Sequence, residues 1–449
     1  MMIWKPERLA GWGNHPSQLC RVARPERLRE LRELSVAPGG TLAWRGLGRS
    51  YGDASLNAGD GVVLLGRLNR FREFDPSTGL LECEAGASLA DIIACFLPRG
   101  FFPPVTPGTR AVTVGGAVAC DVHGKNHHRD GAFSAHVSEL TLLTVGGQLL
   151  RCSRREHPDV FWATVGGMGL TGCIVTVRLA LQRVSSAFLT VVQRRTADLQ
   201  QTMQQLATLD AEHRYTVAWV DGMAGGRSLG RAVVSGADHA SGAPAGRGPL
   251  SPPAHRRGTV PFPAPNWFLS PTMVRGFGAL RYHRSADGAR YLADFDAFFY
   301  PLDSLAHWNR LYGRRGFLQY QFVLPEATAL EGMTRVLETL HRAGHPPFLA
   351  VLKRLGAAGE GLLSFPRAGY TLALDLPVGP PELFALLRRL DEEVAFRGGR
   401  VYLAKDARLA PDLFRAMYPQ LPAFLALKER LDPDGRLATS LSRRLGITA

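Results

Sequence analysis

The chain has 449 residues, 45% of them hydrophobic and 20% charged. That balance excludes a disordered or fibrous protein and leaves room for two or three packed units. Lysine and arginine exceed aspartate and glutamate by 14, for a pI of about 10.0, so the surface suits anionic partners: phosphorylated substrates, lipid headgroups or nucleic acid. None of the six cysteines forms a C-x-x-C pair and no apolar run reaches the roughly 18 residues of a membrane span, which argues against a zinc ribbon, a disulfide framework and an integral membrane protein.

The first 40 residues combine a Gly-Trp-Gly-Asn turn with a charged helical run from Pro25 to Leu34, and no apolar leader stands at Met1. A cytoplasmic chain, or one peripheral at the inner membrane, is expected. The strand end Gly40–Trp44 runs into Arg-Gly-Leu-Gly-Arg-Ser-Tyr-Gly-Asp (Arg45–Asp53). Glycine permits φ > 0 and close approach to the main chain, and successive backbone N–H groups in such a loop suit a phosphate. The pattern is not the Gly-x-Gly-x-x-Gly that opens a dinucleotide-binding helix. Residues 61–65 and 80–85 read as strands, and Ser88 to Leu97 as a helix with Ser88 as its cap and Asp91 completing a weak capping box. A second glycine cluster spans Pro107 to His128, where Gly108, Gly115, Gly116 and Gly124 lie among small and β-branched residues and leave room for a flat ring system. Val137–Leu150 and Val175–Leu181 read as strands, and Asp159–Ala163 as a helical turn. A third cluster, Val-Gly-Gly-Met-Gly-Leu-Thr-Gly, occupies Val165–Gly172. Three such loops in a β/α background argue for one cofactor cradle.

From Ser186 strand and helix patterns alternate. Residues 235–257 are rich in Gly, Ala, Ser, Pro and Arg and read as a mobile loop. Phe262, Trp267, Phe268 and Phe277 follow, either as a lid over an apolar ligand or as a loop packed on its own core. Phe317–Val323 alternates strictly, which places Gln319 and Gln321 on one face. Ala327–Ala343 is an amphipathic helix, Phe348–Leu355 a strand carrying Lys353, Tyr370–Leu376 another strand, and Pro381–Phe396 a helix. Helical segments then run to Leu445. His127 and His128 lack a carboxylate at ligand spacing, so no metal is assigned.

Taken in order, Arg45–Asp53, Pro107–Gly116, Cys120–His128 and Phe161–Gly172 resemble the vanillyl-alcohol-oxidase type of FAD flavoproteins. Trp308–Arg310, Gly316–Val323, Tyr402–Asp406 and Met417–Pro419 narrow the resemblance to the branch that oxidises decaprenylphosphoryl-β-D-ribose at its 2′-hydroxyl. The resemblance covers nearly the whole chain apart from the 235–257 insert. It implies an α+β fold, with a two-part FAD-binding domain (1–186 and 400–449) and an inserted antiparallel-sheet substrate domain (187–399). It implies that Gly46, Leu47, Gly48, Arg49, Ser50, Tyr51, Pro107, Gly108, Thr109, Thr113, Gly115 and Gly116 hold the pyrophosphate and ribityl chain. By the same resemblance Ala119, Cys120, Val122, His123, Gly124, Gly169 and Ile174 line the flavin and adenosine sites, and Tyr402 returns to the flavin. Tyr51, Lys125, Gln319, Gln321, Lys353, Thr371, Ala373 and Lys405 would face the substrate, with Lys405 acting at the hydroxyl, Lys125 and Lys353 at the phosphate and the two glutamines on sugar hydroxyls.

Two departures from the family pattern stand out. Arg49 occupies the place where some relatives tether FAD through a histidine, so non-covalent FAD is expected. Ala373 stands where mycobacterial-type relatives carry a cysteine beside the flavin; hydride transfer needs no nucleophile there. The expected reaction gives a 2-keto sugar, the first half of an epimerisation towards an arabinose donor for the cell envelope, with a short-chain reductase as partner. An aldonolactone or alditol oxidase is the alternative, and a nucleic-acid-binding role has only the net charge in its favour, with no binding module behind it.

Overall fold

The computed structural model describes residues 3–252, 258–265 and 268–448. Three sheets carry the architecture. A mixed four-stranded sheet has the order Lys5–Ala10, Ser17–Ala23, Gly61–Leu64, Leu42–Arg45. An antiparallel five-stranded sheet has the order Phe71–Asp75, Leu80–Glu84, Cys173–Ala180, Val137–Leu143, Leu149–Ser153. An antiparallel eight-stranded sheet has the order Arg290–Asp294, Phe188–Thr196, Ala232–His239, Tyr215–Val220, Leu349–Leu355, Gly369–Pro377, Phe317–Leu324, Arg400–Val401. One apolar core continues from the five-stranded sheet (Leu81, Val177) into the eight-stranded one (Phe322, Leu374).

The large sheet has two unlike faces. Helices Leu199–Glu212, Glu326–Arg342 and Pro381–Phe396 pack on it. In the strand Phe317–Leu324, Tyr320, Phe322 and Leu324 are buried at 2% exposure or less, and Tyr320 meets Arg408 and its partner Asp391 on the Pro381–Phe396 helix. Alternate residues point the other way. Gln319 is paired with Asp375 and Gln321 with Ala373; the next strand pairs Leu349 with Asp375, Val351 with Ala373 and Lys353 with Thr371. That register puts two amides, a carboxyl and a lysine on the face opposite the helices.

Several readings of the sequence are corrected. Val137–Leu150 is a hairpin and not one strand, because Gly147 takes φ +79 and turns the chain at 144–148. Ser235–His239 belongs to the strand Ala232–His239, whose small residues fit between the strands Phe188–Thr196 and Tyr215–Val220. The loop after it is tied at Ser186, whose hydroxyl donates to the Gly242 carbonyl, and by Ala187 N–H to the Pro249 carbonyl; residues 253–257 and Trp267 lie outside the described residues. The stretch after Ser270, where the sequence suggests a lid or loop, forms a helix, Pro271–Arg284. Phe262 and Phe277 are 67% and 63% exposed, so neither packs on a core of its own.

Candidate active site

The first glycine loop leaves the strand Leu42–Arg45 and is fixed from both sides. Trp12 N–H donates to the Ser50 carbonyl and Tyr51 N–H to the Ala404 carbonyl, at 2.8 and 3.0 Å. A side chain on Gly52 would place its Cβ 2.0 Å from the Asp406 carbonyl oxygen, so only glycine lets the loop press on the C-terminal segment. The second cluster is not an open loop throughout: Val114–Ala119 is a short helix capped by Thr113, whose hydroxyl accepts from Gly116 N–H. A Cβ on Gly46 would sit 2.3 Å from that same Thr113 hydroxyl, which is how closely the two loops meet. Ser88 caps the adjoining helix Leu89–Phe96, and the reciprocal bond from Ser88 N–H to Asp91 is present.

These loops form one wall of a long cleft, and the polar face of the eight-stranded sheet forms the other. The wall contains Gly46–Tyr51, Pro107–Thr109, Thr113, Gly115, Gly116, Ala119, Cys120, Val122, His123, Gly169, Ile174 and Tyr402 from the first side. Gln319, Gln321, Lys353 and Ala373 come from the second, and Lys405 enters from the C-terminal segment that follows Arg400–Val401. Three residues proposed from sequence are not on the wall. Gly124 is turned against Asn126 and Thr106. Thr371 is buried, donating to the Phe322 carbonyl and accepting from Gln321. Lys125 lies over the Phe298 ring at 4.2 Å and donates to the Phe298 carbonyl, so its ammonium is engaged away from the cleft.

Buried His123 and Gln321 form a cluster with the partly buried Lys353. Gln321 Nε2 lies 2.9 Å from His123 Nε2, and Lys353 Nζ lies 3.3 Å from Nδ1. Burial, with Lys353, His127 and Lys405 nearby, holds the imidazole well below its usual range, so it is neutral and carries one N–H. Its tautomer and the Gln321 amide orientation are therefore fixed together. Burial brings Lys353 down to about 8.

Lys405 stands with its ammonium 3.8 Å from the Tyr51 ring centroid. Burial lowers it to about 7; Asp375 opposes that shift and Lys353 adds to it. Asp375 is the residue that sequence reading missed. It is 1% exposed, accepts from Gln319 Nε2 at 2.6 Å and from the Tyr312 hydroxyl at 3.2 Å, and burial raises it to about 6. The signal was present: Asp375 lies two residues beyond Ala373 in the same strand, on the same face.

The cleft suits a flavin dinucleotide by its own features. Trp44 lies on the wall with a buried indole N–H that has no protein acceptor. A Cβ on Gly108 would meet nothing within 4 Å, so this main chain fronts open space. Arg49 stacks on Trp12 at 4.0 Å and donates to the Ala111 carbonyl, which ties the first loop to the second. Cys120 is a partly buried thiol that desolvation pushes up to about 11, and thus no nucleophile at neutral pH. All six cysteines are free.

Comparison with known proteins gives the class. The FAD binding domain family matches residues 16–153, and the protein is an FAD-dependent oxidoreductase. It is 36% identical to decaprenylphosphoryl-beta-D-ribose oxidase of Mycolicibacterium smegmatis, over 98% of this chain and 97% of the relative. It therefore belongs to the decaprenylphosphoryl-β-D-ribose oxidase family of FAD-linked oxidases. More distant relatives include L-gulono-1,4-lactone dehydrogenase of Mycobacterium tuberculosis, 24% identical over 97% of this chain and 98% of the relative. Cytokinin dehydrogenase 6 of Oryza sativa is 29% identical over 37% of this chain and 33% of the relative.

Proposed function

We propose that the protein oxidises the 2′-hydroxyl of a polyprenylphosphoryl-β-D-ribose to a 2-keto sugar. The observation that carries this reading is the convergence of Gln319, Gln321 and Lys353 from the sheet and Lys405 from the C-terminal segment on one cleft beside the glycine loops. Two amides suit a polyol, and a partly buried cation beside them suits a phosphoryl group. Bound FAD supplies the acceptor for the hydride that leaves C2′. Lys405, with a pKa of about 7, takes the hydroxyl proton. Gln319, oriented by Asp375, and Gln321, oriented by His123 and Thr371, hold sugar hydroxyls. Lys353 pairs with the phosphate, while Lys125 does not line the cleft.

The two-part arrangement, with 1–186 and 400–449 around the cofactor and 187–399 around the substrate, is supported by Leu42 N–H donating to the Arg436 carbonyl and by Arg444 bonding both Asp53 and Asp406. Arg49 in the first loop supports non-covalent FAD. No described helix is long and apolar enough to cross a membrane, and the net charge of +14 supports peripheral contact with an anionic surface. The keto product calls for a reductase to complete the epimerisation.

Anaerobic flavin bleaching tests the reading. A polyprenylphosphoryl ribose bleaches the flavin, while alditols and aldonolactones do not. Bleaching by the polyols alone would assign the fold correctly and the substrate wrongly.

A further inference from the structure

The structure assigns the outward face of the helix Pro271–Arg284 as a docking surface for an anionic lipid bilayer, beside the mouth of the substrate cleft. Met273, Phe277 and Leu280 are 55%, 63% and 53% exposed. Their spacing of four and three puts them on one stripe of the helix. Gly276 lies on the same side, and a Cβ there would meet nothing within 4 Å. Exposed apolar residues aligned on one helix face mark an interaction surface.

The stripe is not a core face turned the wrong way. The opposite side of the helix is buried at Val274 and Gly278, and a Cβ on Gly278 would lie 2.6 Å from Asp221 Oδ1. Asp221 is itself held by Arg231 at 2.7 Å. Tyr282 O–H donates to the Thr196 carbonyl, which fixes the helix about its axis. The outward direction of Met273, Phe277 and Leu280 is thus imposed by packing.

Charge selects the occupant. Residues 271–292 hold Arg275, Arg281, Arg284 and Arg290 against a single carboxylate, Asp287. Among the described residues none of these arginines forms an ion pair. A second copy of the chain would bring like charges together around the stripe, whereas anionic headgroups would neutralise them while the apolar side chains enter the acyl boundary. Position agrees. Arg281 stacks on Trp219 at 4.9 Å, and Trp219 is the cross-strand partner of Val351, which lines the cleft. The stripe and the cleft therefore share one side of the eight-stranded sheet. The inference rests on the polyprenyl reading for its purpose: a lipid tail could stay in the bilayer while its sugar reaches Lys405.

The test is co-sedimentation of the flavin-loaded protein with vesicles that contain no substrate, of phosphatidylcholine alone or mixed with phosphatidylglycerol. The protein binds the mixed vesicles and not the neutral ones. The combined change Met273→Ser, Phe277→Ser and Leu280→Ser lowers partition at least tenfold, and Arg284→Glu lowers it by about fivefold or more, both with full flavin content. Equal binding to neutral vesicles, or equal binding by the triple variant, overturns the proposal. So does a concentration-dependent dimer that the triple variant abolishes, since the occupant would then be a second copy. Vesicle binding without bleaching by phosphoryl ribose would sink the proposed reaction and leave the docking surface standing.

Discussion

Replacement of Lys405 by Met removes the group assigned to the substrate proton and should change the shape of the pH profile as well as its height. With a pKa of about 7, Lys405 is about one-tenth unprotonated at pH 6 and about nine-tenths at pH 8. For a general base the rate follows the unprotonated fraction, so kcat/KM falls about tenfold from pH 8 to pH 6. In Lys405→Met the rate at pH 8 drops by about 10²–10⁴ and the acid limb disappears. The neighbours predict two further movements of opposite sign. Asp375 raises the Lys405 pKa, so Asp375→Asn lowers it and moves the limb to more acid pH. Lys353 lowers it, so Lys353→Met moves the limb to more alkaline pH. Stopped-flow flavin reduction between pH 5.5 and 9, with flavin content measured for each variant, reads all three. A limb that survives in Lys405→Met refutes the assignment of the base. A limb that vanishes in Asp375→Asn while persisting in Lys405→Met would transfer the role to Asp375.

Gly46→Ala drives a methyl onto the Thr113 hydroxyl and should leave the purified protein with at least tenfold weaker flavin retention, read from its absorbance ratio; full flavin content would mean that the two loops do not need this approach. Acid precipitation of the native protein should release all flavin into the supernatant, and yellow colour in the pellet would show a covalent link despite Arg49. Arg444→Ala leaves the buried carboxylates of Asp53 and Asp406 without their shared partner and should cost about 3–5 kcal/mol in urea unfolding. Ser88→Ala removes the cap of Leu89–Phe96 and should cost about 1 kcal/mol by the same measurement.

The legible parts of the sequence were those governed by local rules. Alternation placed Gln319 and Gln321 on one face, the Ser88/Asp91 pair marked a helix start, and three glycine loops marked a cradle. Register and long-range pairing were not legible. Nothing local says that Gln321 meets His123 across 198 residues, or that Asp375 lies opposite Gln319. Lys125 illustrates the converse: its motif suggested a phosphate contact, but the aromatic pair Phe298 and Phe299, far along the chain, takes its ammonium. The helix Pro271–Arg284 escaped because its exposed apolar residues Met273, Phe277 and Leu280 and its buried Val274 and Gly278 lie on different sides with arginines between them, so no single apolar face stands out from the sequence.

The C-terminal segment explains why the cofactor cradle and the lysine proposed as proton acceptor should rise and fall together. Tyr51 N–H binds the Ala404 carbonyl, Gly52 presses on the Asp406 carbonyl, and the Tyr51 ring lies under the Lys405 ammonium. Arg444 then clamps Asp53, at the end of the loop, to Asp406, next to the lysine. The loop that fronts the cofactor cleft is thus also the floor on which Lys405 stands. A change that loosens the loop should weaken flavin retention and displace the acid limb in the same variant, whereas a change confined to Lys405 should move the limb alone. That difference separates a positioning defect from a chemical one.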